Sequence, residues 1–162
     1  NENPRVAVYP GTFDPITLGH LDIIERASSL FDTLIISIAV NSEKKPLFST
    51  SSRLKMIAEA VKHLPNVDVD EFSGLLVEYA ENVKAVAIIR GIRALSDYEY
   101  EFKMSLMNRS LNEKIATLFL VAHQKYTHLS SSLIQEVANL GGDVTDLVPS
   151  IVAENLKKKY AK

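Results

Sequence analysis

Short apolar runs alternate with longer amphipathic ones along this chain. "VAVY" precedes "HLDIIERASSLF", "LIISIAV" precedes "SSRLKMIAEAVKHL", "VDVDEF" precedes "LLVEYAEN", "AVAIIR" precedes "YEYEFKMSLMNRSL", and "ATLFLVA" precedes "SSSLIQEVANLGG". The short runs lack the strict alternation of a half-exposed sheet, which suits parallel strands covered on both faces, and the longer runs carry the helical period. The pattern predicts a doubly wound α/β domain with a five-stranded parallel sheet. In the first helix Ile23, Ile24, Ala27, Leu30 and Phe31 recur at helical spacing and are expected against the sheet. "VPSIVAENLKKKYAK" predicts a closing helix over about 149–162, with Pro149 at its start and Lys157, Lys158 and Lys159 complementing the negative end of its dipole. No linker, low-complexity stretch or solenoid repeat divides the chain, so residues 1–162 are expected to form one domain.

Composition narrows the functions open to such a domain. The 162 residues are 46% hydrophobic and 23% charged with a net charge of -2, an ordinary globular balance without the basic field of a nucleic-acid binder. Any anion site must therefore be local. The absence of cysteine excludes disulfides and thiolate metal ligands. "LIISIAV" is far shorter than the ~18 residues of a membrane span, and "NENPRVAVYP" lacks an apolar leader, so no membrane partner is expected and the cytoplasm is the expected compartment.

In open parallel sheets ligands bind outside the carboxyl ends of the strands, where the strand order reverses. The segments that follow the predicted strands are "PGTFDPITLGH", "NSEKKPLFS", "RGIRALSDYEYE" and "HQKYTHLSSS". Basic groups and hydroxyls recur in them, as a polyphosphate cradle requires. Gly11 is expected to permit a sharp turn, Gly19 to let the opening of the first helix approach a ligand, and His20 to point from that first turn toward a bound anion. Neither G-x-x-x-x-G-K-[ST] nor G-x-G-x-x-G is present, which disfavours a P-loop or dinucleotide fold, and H-E-x-x-H and G-x-S-x-G are absent as well. His63 and His123 are expected to be structural or surface residues.

"GTFDPITLGH" resembles the T-x-G-H signature of the nucleotidyltransferases, and "LSSS" at Leu129 to Ser132 resembles the second signature, usually I-S-S-S or I-S-S-T. "KKPLF" and "IIRGIRALSDYEYE" fall between them in the order seen in bacterial phosphopantetheine adenylyltransferases. The resemblance runs from Tyr9 to about Pro149. It implies a Rossmann-like fold and transfer of AMP from ATP to 4′-phosphopantetheine, giving dephospho-coenzyme A and pyrophosphate with Mg2+. It also implies a homohexamer, to which the "YEYEFKMSLMNRSL" helix would contribute, and makes coenzyme A a candidate inhibitor.

Carried over residue by residue, the resemblance implies that Thr12 and Phe13 contact ATP, that Thr12 also orients the acceptor phosphate, and that His20 donates to the α-phosphate. Lys44 matches the lysine that binds the attacking phosphate, with Lys45 as its competing neighbour. Leu76 falls where the family lines the pantetheine arm, and Arg90 matches a contact to the acceptor phosphate. Gly91, Ile92 and Arg93 approach ATP, with Arg93 meeting the pyrophosphate, and Glu101 matches an adenosine-side position, leaving Tyr100 for the core. Tyr126, Thr127, His128, Leu129, Ser130, Ser131 and Ser132 span the second signature, where hydroxyls and helix-start amides hold the β- and γ-phosphates. Some relatives in the wider superfamily carry a basic residue after this signature, whereas here Gln135 and Glu136 follow.

No covalent nucleophile stands out, so direct in-line attack is expected, catalysed by positioning and charge stabilisation, with Mg2+ held mainly by ATP phosphates and water rather than by a protein site. The competing readings are another small nucleotidyltransferase, acting with CTP on a phosphorylated alcohol or with ATP on nicotinate mononucleotide, and a nucleotide-sensing domain without turnover.

Overall fold

The computed structural model describes residues 2–40 and 45–161. Its elements run β1 (Val6–Gly11), α1 (Leu18–Ser28), β2 (Thr33–Ala39), α2 (Thr50–Ala60), β3 (Val67–Phe72), α3 (Leu76–Asn82), β4 (Ala85–Ile92), α4 (Leu95–Leu111), β5 (Ala116–Val121), a 3₁₀ turn (Gln124–Tyr126), α5 (Ser131–Asn139) and α6 (Ser150–Lys159). The five strands form one parallel sheet in the order β3-β2-β1-β4-β5. The predicted βα rhythm and parallel sheet are therefore present, matching the doubly wound expectation.

The sheet separates two apolar layers. Ala7, Ile36, Ile38, Ile89 and their neighbours pack with α1, α2, α5 and α6 residues on one face, while Val8, Ile88, Val77 and Ala80 form a smaller cluster with α3 on the other. Consecutive residues of β1 serve opposite layers because strand side chains alternate in direction. Ile23, Ile24 and Ala27 of α1 are buried as their spacing predicts, and Phe31 is buried beyond the helix end. Leu30 departs from the expectation: α1 ends at Ser28, so Leu30 leaves the helical period and is 56% exposed. The closing helix is shorter than its apolar pattern suggested, with Pro149 as its N-cap and the three lysines in its last turn.

The strand order reverses between β1 and β4, and there the sheet splits. β1 stays paired with β2 as far as Gly11↔Ile38, but its pairing with β4 stops at Val8↔Ile88. Tyr9 to Gly11 and the last residues of β4 thus diverge, opening a crevice at the carboxyl ends of the central strands. No helix among the described residues is long and apolar enough to cross a membrane.

Candidate active site

The loop after β1 is shaped by Phe13, not by Gly11. Phe13 has φ 46°, in the left-handed region that costs a non-glycine residue on the order of 1–3 kcal/mol, whereas Gly11 has no positive φ. This corrects the expectation of a turn at Gly11. The glycine is needed for space: a Cβ there would stand 3.1 Å from the Phe13 ring, which folds back over it. Phe13 is buried edge-on between Tyr9 and His20, with ring centroids 5.2 and 5.0 Å away. That packing holds the strained backbone in place.

Several buried polar groups pin the same loop. Asp14 accepts from the amides of Leu47 (2.7 Å) and Phe48 (3.0 Å), while the Arg53 guanidinium donates to the carbonyls of Thr12 (2.8 Å) and Phe48 (3.1 Å). From α5, Ser131 Oγ donates to the Pro15 carbonyl and Gln135 Nε2 to that of Asp14. Gln135 is thus a brace for the first loop. The loop is tied at once to the segment entering α2 and to the start of α5, and fully satisfied buried networks of this kind rigidify a site.

His20 occupies the third position of α1 in a reciprocal capping box with Thr17. Thr17 Oγ1 accepts from the His20 amide at 3.3 Å, and His20 Nδ1 accepts from the Thr17 amide at 3.0 Å. A backbone amide can only donate, so Nδ1 is the acceptor and the ring proton sits on Nε2. Burial, then the charges of Arg93 and Arg90, lower the His20 pKa from 6.5 to about 4. At neutral pH the ring is therefore an uncharged Nε2–H donor.

That shift carries a stability consequence. Between pH 6.5 and about 4 the unfolded chain protonates His20 while the folded protein keeps it neutral, so stability is full above pH 6.5, falls as pH drops, and levels off near the folded pKa. The expected loss is on the order of 2–3 kcal/mol, reduced by the partial exposure of the ring. Denaturant titrations at stepped pH on the wild type and on His20→Gln check it: the glutamine variant should lack this component of the slope, and an unchanged slope would disprove it.

At the end of β4, Arg90 donates through Nε and Nη2 to the two oxygens of Glu101 (2.8 and 2.7 Å) and through Nη1 to the Pro10 carbonyl (3.0 Å). Three of five N–H groups are thereby used, leaving one on each Nη. Glu101 is buried and Tyr100 is 63% exposed, the reverse of the expected placing of Tyr100 in the core, because the carboxylate turns inward to its arginine. Arg93 is held by Asp97 (3.2 Å) and by the carbonyl of Leu129, which joins β4 to the second signature. Ser130 caps α5 by accepting from the Leu133 amide at 3.1 Å, and the next helix amide in the ladder, Ile134, bonds the Ser130 carbonyl. Among the described residues the amides of Ser131 and Ser132 have no protein acceptor, so the start of α5 can receive an anion.

These groups surround one cleft of about 510 Å3 at the split between β1 and β4. Of the residues singled out in the sequence, Thr12, Phe13, His20, Arg90, Gly91, Arg93, Glu101, Tyr126, Leu129, Ser130, Ser131 and Ser132 line it. Ile92, Thr127 and His128 lie beside it without lining it, and Leu76, at the first turn of α3, packs against the smaller apolar cluster. Lys44 lies outside the described residues; Lys45 is exposed. His63 sits on the surface against Glu25, and exposed His123 caps the 3₁₀ turn. Among the described residues no three His, Asp or Glu side chains converge as a metal site. Sequence reasoning missed Asp14, Thr17 and Arg53. The spacing Thr17-x-x-His20 is that of a capping box and could have been found; Asp14 binds amides 33 and 34 positions away and Arg53 reaches the Thr12 carbonyl 41 positions away, which left no local sign.

A neutral hydrogen-bond donor beside two arginines and a helix start, at the reversal point of a parallel sheet, is the apparatus of a nucleotidyltransferase. A family model described as cytidylyltransferase-like matches residues 8–137. The fold is also that of a Vibrio parahaemolyticus chain assigned as a nicotinate-nucleotide adenylyltransferase, with a TM-score of 0.73 and 19% identity over 95% of this chain and 99% of that one. A lipopolysaccharide core biosynthesis protein from Thermoplasma volcanium is similar at a TM-score of 0.57 and 23% identity, over 75% of this chain and 99% of its own.

At the level of sequence the likeness is narrower. The chain is 53% identical to the phosphopantetheine adenylyltransferase of Caldanaerobacter subterraneus subsp. tengcongensis, over 98% of this chain and 99% of that protein. It is 52% identical to the phosphopantetheine adenylyltransferase of Desulfosudis oleivorans, over 96% of this chain and 92% of that protein. The chain belongs to the phosphopantetheine adenylyltransferase family.

Proposed function

We propose that the cleft transfers AMP from ATP to 4′-phosphopantetheine, giving dephospho-coenzyme A and pyrophosphate in the penultimate step of coenzyme A synthesis. The observation that carries this reading is the capping box that fixes His20 as an uncharged Nε2–H donor between the β1 loop and the arginines of β4. A phosphate oxygen of the acceptor attacks the α-phosphorus, a new P–O bond forms, and the bond from that phosphorus to the α,β-bridging oxygen breaks as pyrophosphate departs. No general base is required, because a phosphate monoester is already largely ionised at neutral pH. His20 donates to the α-phosphoryl oxygen as charge gathers there, Arg90 directs its two remaining N–H groups at the acceptor phosphate, and Arg93 with the α5 amides receives the pyrophosphate. Thr12 and Lys44 complete the acceptor side.

Asp97 and Glu101, the carboxylates lining the cleft, are both engaged with arginine. Mg2+ therefore fits here as the companion of ATP, held by phosphate oxygens and water, where it would neutralise the triphosphate charge. The experiment is incubation of the protein with ATP, Mg2+ and 4′-phosphopantetheine, reading pyrophosphate release and product mass; ATP binding without product would instead support a sensing domain.

The family's homohexamer and a cytoplasmic location complete the proposal. Seven large apolar side chains of α4, from Tyr98 to Leu111, are at least 39% exposed, with Leu118 and Val121 of β5 also uncovered. An uncovered apolar surface on this scale marks an interface. Light scattering after gel filtration should give six times the chain mass; a monomer would exclude the assembly.

A further inference from the structure

Among the described residues, Tyr9 has a hydroxyl with no partner inside the protein. Its ring is the floor of the cleft, 6% exposed, held edge-on by Phe13, and the residue stands just where β1 and β4 part. Among the described residues the hydroxyl makes no hydrogen bond, yet no buried side-chain oxygen is left without a partner. These two facts are compatible only if the oxygen itself is open to the cleft. Gly91 lies directly beside it: a Cβ at that position would stand at the ordinary contact distance of 3.6 Å from the hydroxyl. Arg90 of β4 and Arg93 just beyond its end place their charges near the phenol.

From this geometry we infer that the Tyr9 hydroxyl is a further binding group of the site, donating to a phosphoryl oxygen of the bound substrates. Burial pushes the phenol well above its ordinary range despite the opposing arginines, so it stays protonated and can donate at any working pH. Its role complements those of the arginines: they supply charge, and Tyr9 supplies a neutral donor from the floor of the cleft. Two phosphoryl groups meet in this cleft, that of ATP and that of the acceptor, and both present the same chemistry.

The inference rests on the proposed reaction, and Tyr9→Phe tests it while keeping the ring and its contacts. The variant should melt at the same temperature as the wild type or higher, because no protein hydrogen bond is lost. Calorimetric titration with ATP and, separately, with 4′-phosphopantetheine should show one of the two binding weakened about tenfold or more, the scale of a hydrogen bond to a charged acceptor, and the affected ligand identifies the phosphate. Equal binding of both ligands, with kcat also within twofold, overturns the inference, as does a melting point lowered by several degrees, which would reveal a partner inside the protein. Wild-type protein that binds both ligands but forms no product defeats the proposed reaction and leaves the titration comparison standing; wild-type protein that binds neither overturns both.

Discussion

Replacement of His20 by alanine is expected to leave the fold intact and lower kcat by roughly 10²–10³, the range seen when a single oxyanion-type donor is removed. The structure says why one side chain can matter this much. The capping box fixes the tautomer, the edge contact with Phe13 fixes the ring plane, and burial with the two arginines keeps the ring neutral. The donor is therefore already oriented before substrate arrives, so little reorganisation is needed as charge develops on the α-phosphate. The substitution also removes the acceptor for the Thr17 amide, at about 1 kcal/mol, which the protein can tolerate because Thr17 still caps the helix through Oγ1. Circular dichroism and steady-state kinetics on the same preparation check both halves. A folded His20→Ala protein with wild-type turnover would remove His20 from the mechanism. Thr17→Val offers a graded comparison: it abolishes the hydroxyl cap but keeps the imidazole, and should lower kcat by less than the alanine variant.

The parts of this molecule that could be read in advance are those whose physics is local. Short apolar runs separated by amphipathic segments mark strands and helices wherever the sheet is covered on both faces, whereas the strand order is set by pairings between distant segments. The site was legible to the extent that ligands gather at strand ends: position singled out the segments that carry His20, Arg90, Arg93 and the serines of α5, all of which line one cleft, while their separate roles came from the family resemblance. Relations between those residues were not legible. Glu101 was assigned to the site through the family resemblance, but nothing in "YEYE" shows that Arg90 lies across from it, and the pairing joins residues on different elements. Gly11 drew attention as the flexible residue, whereas the positive φ fell to Phe13, whose ring is compensated by contacts with Tyr9 and His20 that only the folded chain creates. Arg53 is the extreme case. A lysine- and arginine-bearing helix start is ordinarily solvated, and this arginine is instead 4% exposed because the carbonyls of Thr12 and Phe48 converge on it.

Competition among acceptors should show adenylylation of 4′-phosphopantetheine with kcat/KM at least ~10³-fold above glycerol 3-phosphate or nicotinate mononucleotide, the discrimination that sites built for polar partners can reach. The phosphate-handling groups cannot supply this ratio, because Thr12, His20, Arg90 and Arg93 would meet any of the three phosphates alike. Discrimination must come from the far end of the acceptor. Pantetheine is a long arm with two amides, and a pocket that pairs those amides leaves its own buried donors and acceptors unsatisfied when a shorter acceptor binds, which is penalised far more than a lost apolar contact. Leu76 is the apolar residue the family resemblance assigns to that arm. Its packing against the α3 side of the sheet puts it among the residues of the smaller cluster, away from the cleft proposed to hold the phosphates. On the family assignment, Leu76→Asp should raise KM for 4′-phosphopantetheine while leaving KM for ATP within a few-fold; unchanged acceptor KM would make Leu76 a core residue only. Mass spectrometry of a reaction holding all three acceptors with ATP and CTP measures the selectivity directly. Dominant adenylylation of nicotinate mononucleotide, or CTP-dependent product from glycerol 3-phosphate, would overturn the acceptor assignment while leaving the in-line mechanism at His20 in place.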